Sequence, residues 1–344
     1  MFAGVGDGGQ NINYICHMPR KARLHSPGLV HHVMARGIDG RAVFIDDADR
    51  NRFLDLLSRG LSRVSYKCYG WSLMPNHYHL VIRASEEPLG PFMRRLNSTY
   101  ARYFNRKNER KGYVFQDRFK SIPTQDQLYL EELIRYVHLN PLRAGICRDF
   151  RVLNRYLWSG HSCIMGYAKR GFQDVKTMLR RFGRDNESAR KAYLGFLKKG
   201  VEDDETDFVR LIRQCNRGVA DSGQPACWVI GDRPFIQKAV ARDRENRARF
   251  AEYIRQGLTI SDIAAHVARA LGVKTKYLRQ KNTTGTASQA RKILAHIGHR
   301  IYGIPVVKIG LFLGIGGPAV SMCLDEGERL FAKERIDLRF VSSR

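Results

Sequence analysis

Acidic residues are scarce in this chain relative to basic ones. The 344 residues contain 33 Asp and Glu against 59 Lys and Arg, so the formal net charge is +26 and the pI is about 10.1. Such an excess suits a polyanionic partner, although a ribosomal or membrane-surface protein would share it. The net charge therefore indicates a negatively charged partner but no particular function.

Paired cysteines and long apolar runs are also missing. The seven cysteines are scattered with no C-x-x-C pair, which argues against a zinc finger and indicates reduced thiols. No apolar run reaches 18 residues, and no convincing signal peptide is present. We expect a soluble, cytoplasmic protein with no membrane partner and no small-molecule substrate.

Two histidines stand two positions apart in an apolar, β-branched stretch, Trp71 to Ile82. Positions i and i+2 of a strand point to the same face, so His77 and His79 should project together. Two adjacent imidazoles form half of a divalent-metal site. The alternative is a pair of surface histidines on an exposed strand face.

Periodicity predicts the order β-α-β-β-α-β followed by a final helix. This order is the ferredoxin-like, split βαβ pattern of an α+β domain. The predicted elements are a strand at 29–36, a helix capped by Asp46, strands at 66–73 and 77–82, a helix at 88–105, an extended stretch at 112–122 and a helix from Asp126 that stops near Asn140, because Pro141 follows.

The length of the chain predicts at least two domains. We expect a disordered N-terminus at 1–20, the α+β domain at 21–165, a helical connector at 166–256 and an all-α region at 257–344. Helices at about 187–199, 206–216 and 234–256 are expected in the connector, to which the sequence assigns no chemistry.

Four motifs in the N-terminal half occur in a fixed order. They are His-x-x-x-Arg-Gly at 32–37, Met-Pro-Asn-His-Tyr-His-Leu at 74–80, Phe-Gln-Asp-Arg-Phe-Lys-Ser at 115–121 and Arg-Tyr-Val-His-Leu-Asn-Pro-Leu-Arg-Ala-Gly at 135–145. Together they resemble the REP-associated tyrosine transposases, relatives of the single-tyrosine HUH transposases of the insertion-sequence-200 type. The resemblance covers roughly residues 18–165.

The resemblance implies a Mg²⁺ or Mn²⁺ ion held by His77 and His79. It also implies that Tyr136 attacks a single-stranded DNA phosphate and becomes 5′-phosphotyrosyl-linked. A core role for Tyr136 is the alternative. The competitors for the chemistry are Tyr100, Tyr103, Tyr113 and Tyr129, of which Tyr129 would be tested first. Asn140, one helical turn beyond Tyr136, stands where related transposases place a third ligand; its alternative role is to cap the helix C-terminus.

Basic residues interleaved with aromatics between residues 94 and 120 suit single-stranded nucleic acid. A solvated basic helix face over core aromatics is the alternative. The candidate DNA-binding residues of the N-terminal domain are Arg36, Arg106, Lys107, Arg118 and Lys120.

From Gly257 to Leu324 the only acid is Asp262. A helix, a short glycine turn and a second helix between 305 and 321 give a helix-turn-helix signature. This region resembles the C-terminal DNA-binding domain of the bacterial replication initiator DnaA, although Gly-Pro-Ala-Val-Ser at 317–321 departs from that family's recognition helix. Arg291, Lys292 and Ser321 are the candidate DNA contacts, and a helical bundle that merely packs on the catalytic domain is the alternative.

The sequence thus predicts a transposase that cleaves and rejoins single-stranded DNA near palindromic hairpins through a phosphotyrosine. One alternative is a domesticated hairpin-binding or regulatory protein that does not cut. Another is a metal-dependent nuclease that uses activated water and forms no covalent adduct.

Overall fold

A computed structural model describes residues 24, 26–202, 207–217, 229–280 and 284–338 of this chain. The predicted disordered segment 1–20 lies outside these residues. The chain divides into two compact units. The first runs to Ala239, and the second begins at Val240 and includes residues 63–65 and 85–87. The division falls inside a helix, and the domain limits predicted from the sequence stay predictions.

The first unit is built on a four-stranded antiparallel sheet. The strands are β1 (Val30–Arg36), β2 (Lys67–Met74), β3 (His77–Arg83) and β4 (Lys120–Thr124), arranged in the order β2-β3-β1-β4. A two-residue turn, Pro75 and Asn76, joins β2 to β3. The α+β class and the predicted order of elements are therefore observed in this unit.

Two helices cover one face of the sheet. Helix α1 (Asp47–Leu61) begins at Asp46, whose side chain accepts from the Asp49 amide, and α2 is Leu89–Lys107. Tyr78 of β3 points to this face, where its ring contacts Phe53 and its hydroxyl donates to Asn97 Oδ1 at 2.7 Å. Side chains alternate along a strand, so His77 and His79 must project to the opposite face.

Helix α3 (Asp126–Arg143) packs across that opposite face. Its apolar side chains, among them Leu133 and Val137, pack with Val81 of β3 in one core cluster. Gly70 in β2 allows the close approach, because a Cβ there would lie 2.5 Å from Ile134 Cδ1.

Two local predictions were wrong. The extended stretch expected at 112–122 contains regular strand only from Lys120, with an isolated bridge between Phe115 and Gly37. The final helix does not stop near Asn140 but continues through Pro141 to Arg143. Proline costs the helix one hydrogen bond, and the buried Leu139 and Pro141 side chains offset that loss by packing.

The residues after α3 complete the core of the first unit. Helices α4 (Phe150–Arg155), α5 (Gly160–Met165), α6 (Val175–Leu179), α7 (Asn186–Glu202) and α8 (Asp207–Arg217) follow. Buried side chains of this stretch, including Leu153, Tyr193 and Ile212, pack in the cluster that contains α3. Ile230 then pairs beside β4, where its amide donates to the Pro123 carbonyl at 2.8 Å. Described residues of the predicted connector therefore contribute to this core.

The second unit is all-α. Helix α9 (Arg233–Arg255) contains the division between the units, and α10 (Ile260–Ala270), α11 (Gly285–His296), α12 (Val306–Leu313) and α13 (Gly317–Glu334) follow around one apolar core. Within the described ranges no single helix is long and apolar enough to cross a membrane; α12 and α13 pass that test only as a pair, bent by 99°.

Candidate active site

The two histidines predicted to act together are neighbours on the α3 face of the sheet. The ring centroids of His77 and His79 are 4.9 Å apart. His79 is 2% exposed and His77 is half-buried. The alternative of two surface histidines on an exposed strand face is therefore wrong.

A third imidazole, His32 of β1, completes this cluster. Its ring stacks on His79 with centroids 5.1 Å apart and planes 13° apart, and His32 Nε2 lies 2.8 Å from His79 Nδ1. Met34 pairs with His79 across the strands, so His32 shares its face. The sequence placed His32 in a motif but gave it no role, because its approach to His79 depends on the register of β1 against β3.

Tyr136 of α3 lies over the imidazoles. Its half-buried ring is edge-on to His32, with centroids 5.7 Å apart, and to His79, at 5.9 Å. Two of the competing tyrosines make other contacts: Tyr100 is buried and donates to the Val43 carbonyl, and Tyr129 stacks on Phe208. The fold thus places the Tyr136 ring beside His79 and His32, and its role as the nucleophile stays a prediction.

Asn140 stands inside α3, one turn beyond Tyr136. Its side-chain Nδ2 donates to the Tyr136 carbonyl at 2.8 Å, and the helix is capped by Ala144 instead. The alternative of a C-capping role is therefore wrong. A carbonyl only accepts hydrogen bonds, so the amide nitrogen must face it and Oδ1 occupies the other branch. Glu132, the other oxygen one turn from Tyr136, is paired with Arg135.

Asn76, in the β2–β3 turn, determines which ring nitrogen of His77 carries the proton. Its Nδ2 donates to the Gly40 carbonyl at 3.1 Å, and its Oδ1 lies 2.6 Å from His77 Nδ1. Because Oδ1 only accepts, Nδ1 of His77 carries the proton and Nε2 presents a lone pair.

All three imidazoles are held in the neutral form that binds metal ions. Burial, and then the charge of nearby Arg36, lowers the pKa of His77 to about 4. Burial and the neighbouring His77 lower the pKa of His32 to about 3, and burial with both neighbours lowers the pKa of His79 well below 6.5. Desolvation disfavours the imidazolium in each case.

The atoms of this cluster fit a divalent ion. His79 Nε2 is buried and has no hydrogen-bond partner in the described part of the chain, as expected of a metal ligand. The described residues contain no group of three His, Cys, Asp or Glu side chains that could hold a metal. The donors predicted from the sequence are two imidazole nitrogens and the Asn140 amide oxygen, and such a set would leave positions open for other oxygen ligands.

A basic cavity of about 380 Å³ opens beside Tyr136. Three predicted DNA-binding residues line it, namely Arg36, Arg118 and Lys120. Arg213 of α8 lines it as well, and one carboxylate, Asp117, is the only acid among the lining residues. No sequence motif marks α8, so Arg213 was missed.

Two further predicted DNA-binding residues of this unit lie on the last turn of α2. Arg106 is exposed. The Lys107 ammonium instead donates to Asp46 Oδ2 at 2.6 Å and to Asp49 Oδ1 at 2.8 Å. Lys107 therefore holds the start of α1, and a role toward DNA stays a prediction.

The three predicted contacts of the second unit make internal interactions or are buried. Arg291 is 8% exposed and donates to the carbonyls of Gln280 and Leu313. Lys292 pairs with Glu326 at 2.8 Å. Ser321 Oγ is buried and has no hydrogen-bond partner within the described ranges.

The antiparallel sheet thus carries paired histidines beneath a tyrosine of helix α3. Residues 26–140 match the family described as "Transposase IS200 like". No curated protein matches the chain significantly. One similar solved chain is described as "Structure of the REP associates tyrosine transposase bound to a REP hairpin". It is 13% identical, with 46% of this chain and 90% of that chain covered and a TM-score of 0.37.

Proposed function

We propose that this protein is a transposase that cleaves and rejoins single-stranded or hairpin DNA, with Tyr136 as the nucleophile. One observation carries the proposal: within the family-matched segment, the Tyr136 ring lies edge-on to His79 and His32. The sheet order β2-β3-β1-β4 is consistent with the ferredoxin-like assignment, which we include in the proposal.

The reaction follows from what a phenol can do. The Tyr136 hydroxyl attacks the phosphorus of a phosphodiester and loses its proton to solvent. The bond from phosphorus to the 3′ oxygen breaks, and that oxygen leaves as a 3′ hydroxyl after taking a proton. The product is a 5′-phosphotyrosine, which conserves the phosphodiester bond energy, so that attack by a 3′ hydroxyl rejoins strands without ATP.

We infer that His77, His79 and Asn140 Oδ1 hold Mg²⁺ or Mn²⁺. When bound, such an ion polarises a non-bridging phosphate oxygen and stabilises the charge that develops there. The two imidazoles are neutral because they are buried, and the lone pair of His77 Nε2 is directed by the hydrogen bond at its Nδ1.

The DNA backbone would occupy the basic cavity beside Tyr136. Arg36, Arg118, Lys120 and Arg213 line it and would neutralise phosphates on either side of the scissile bond. This surface is close enough to Tyr136 for the two to share one cavity, which supports a single strand that passes over the nucleophile.

The second unit is proposed to bind duplex DNA near the cleavage site. Helices α12 and α13 are joined by three residues and bent by 99°, a geometry typical of a helix-turn-helix. A helical bundle without DNA-binding function is the alternative.

Covalent capture tests the proposal. Labelled single-stranded hairpin oligonucleotides are incubated with the full chain and Mn²⁺, and a denaturing gel is examined for a protein–DNA adduct. We expect an adduct with the wild type and with Tyr113→Phe, a matched control at a side chain that is 83% exposed. Tyr136→Phe should lose cleavage and adduct together while its melting temperature hardly changes.

The other outcomes select the alternatives. If Tyr136→Phe still cuts without an adduct, activated water is the nucleophile. If Tyr136→Phe still forms an adduct, another tyrosine carries the chemistry and Tyr129 is tested next. A wild type that binds hairpins and forms no adduct supports the non-cleaving binding protein.

A further inference from the structure

The pairing of His32 with His79 has a consequence for how the metal ligand is held. Their facing nitrogens, His32 Nε2 and His79 Nδ1, are 2.8 Å apart, so one proton lies between them. A neutral imidazole carries its proton on one nitrogen and a lone pair on the other. The side on which this proton sits therefore decides which atom His79 presents to the cavity.

Two arrangements are chemically allowed. If the proton is on His79 Nδ1, then His79 Nε2 carries a lone pair and can bind a cation. If the proton is on His32 Nε2, then His79 Nε2 carries a hydrogen and cannot bind a cation. Both His79 Nε2 and His32 Nδ1 are buried without a hydrogen-bond partner in the part of the chain that the structure describes, so no other described group fixes the choice.

We propose that His32 is a positioning residue: it accepts the Nδ1 proton of His79 and thereby holds Nε2 of His79 as the metal-binding atom. This inference rests on the proposed metal site. His77 and His79 would then be held in the same way, because Asn76 Oδ1 accepts the Nδ1 proton of His77. Metal-ligating histidines commonly donate their second N–H to such an acceptor, which fixes the tautomer and the ring orientation.

The stacking supports the same role. With planes 13° apart and centroids 5.1 Å apart, the His32 ring restrains the plane of His79 as well as its tautomer. The His32 ring also lies edge-on to the Tyr136 ring, so His32 packs against both His79 and the proposed nucleophile. Both acceptors, His32 and Asn76, are neutral. They would therefore not offset the positive charge of a bound ion, which could act in full on a phosphate.

Metal binding by the full-length chain gives the first test. The Mn²⁺ dissociation constant is measured by calorimetry for the wild type, His32→Leu and His32→Gln. Leucine removes the acceptor, and the constant should rise about 10- to 100-fold. Glutamine can place an amide oxygen near the position of Nε2, and it should restore the constant to within a few fold.

His31→Leu is the matched control. His31 is the adjacent buried histidine on the other face of β1, and its Nδ1 lies 3.0 Å from Ser121 Oγ. This variant should lower the melting temperature and leave the Mn²⁺ constant of the folded protein unchanged. Equal losses of Mn²⁺ affinity in His31→Leu and His32→Leu would overturn the proposal, as would His32→Gln binding as weakly as His32→Leu.

The tautomer itself gives the second test, which does not depend on metal or activity. Long-range ¹H–¹⁵N spectra of histidine-labelled protein without metal should show His79 protonated on Nδ1, with assignment from His79→Gln. His79 protonated on Nε2 in the wild type would overturn the proposal. If the wild type binds no Mn²⁺, the proposed metal site fails, and this spectrum still decides the role of His32.

Discussion

Asn140 donates a hydrogen bond from its side-chain amide to the backbone carbonyl of Tyr136, one helical turn earlier, at 2.8 Å. The bond fixes which branch of the amide carries oxygen, and it ties a candidate ligand to the helical turn that carries the candidate nucleophile. Helix α3 continues beyond Asn140 to Arg143, so this geometry does not serve the helix end.

The first prediction follows from that bond. Asn140→Ala should raise the Mn²⁺ dissociation constant at least about tenfold, because it removes an oxygen donor. Stability should change little, since the better helix propensity of alanine offsets the lost hydrogen bond. Calorimetry and thermal unfolding measure the two effects, and His77→Ala serves as the reference for loss of a ligand. An unchanged Mn²⁺ constant in Asn140→Ala would mean that the side chain only stabilises α3.

Arg213 carries the second prediction. Arg213→Gln should weaken binding of a single-stranded oligonucleotide several-fold and lower the slope of log K against log[salt] by about 0.7, the value for one phosphate contact. Arg210→Gln is the matched control, because Arg210 is an exposed residue on the same helix that does not line the cavity. Fluorescence anisotropy over a salt series measures both variants. If their effects are equal, Arg213 makes no specific phosphate contact and contributes only to the overall positive charge.

The sequence predicted those parts of the site that lie on single elements. The two-residue period of β3 placed His77 beside His79, and the helical period of α3 placed Asn140 one turn from Tyr136. His32 and His79 are 47 residues apart and meet only through the register of β1 against β3, which no local pattern fixes. Arg213 reaches the cavity through the packing of α8.

The error at Pro141 has a physical cause of a different kind. The rule that proline ends a helix weighs one lost hydrogen bond and a steric clash. The side chains of Leu139 and Pro141 are both buried in the first unit, and their tertiary packing overrides the tendency of proline to end the helix. The prediction of an extended stretch at 112–122 failed for the opposite reason. Its residues favour β structure, but they pair with a neighbouring strand only from Lys120 onward.

The third prediction separates a structural role of Arg291 from a role toward DNA. Its guanidinium donates to two carbonyls, those of Gln280 and Leu313, so Arg291→Gln should cost about 2–4 kcal/mol through the buried groups left unpaired. Lys292→Gln, which removes only the ion pair with Glu326, should cost less than about 1 kcal/mol. Denaturant unfolding followed by circular dichroism measures both. If Arg291→Gln instead keeps its stability and lowers the salt slope of duplex binding, Arg291 contacts DNA.

The last prediction concerns acid sensitivity and rests on His161 of α5. His161 Nε2 lies 2.7 Å from Asn154 Oδ1 and must donate to it, so Nδ1 accepts from the Tyr193 hydroxyl at 2.9 Å. The Tyr193 oxygen in turn lies 2.7 Å from Nδ1 of His138, whose ring centroid is 6.1 Å from that of His161. Protonation of His161 would remove the acceptor and bury a charge, and burial lowers its pKa from 6.5 to about 3.

The sign of the effect follows from linkage. In the unfolded chain His161 takes up a proton below about pH 6.5, whereas in the folded chain it does so only near pH 3. The free energy of unfolding should therefore fall as the pH drops from about 6.5 toward 3, and this residue should contribute nothing to the slope above that range. His161→Gln should be less stable at neutral pH, because it loses part of the hydrogen-bonded chain, yet its stability should fall less steeply with acid, by about one proton. Denaturant unfolding at several pH values, followed by the fluorescence of Trp71 and Trp158 in the first unit, measures the two slopes. The other buried histidines are present in both proteins, so identical slopes would place the acid sensitivity at a residue other than His161.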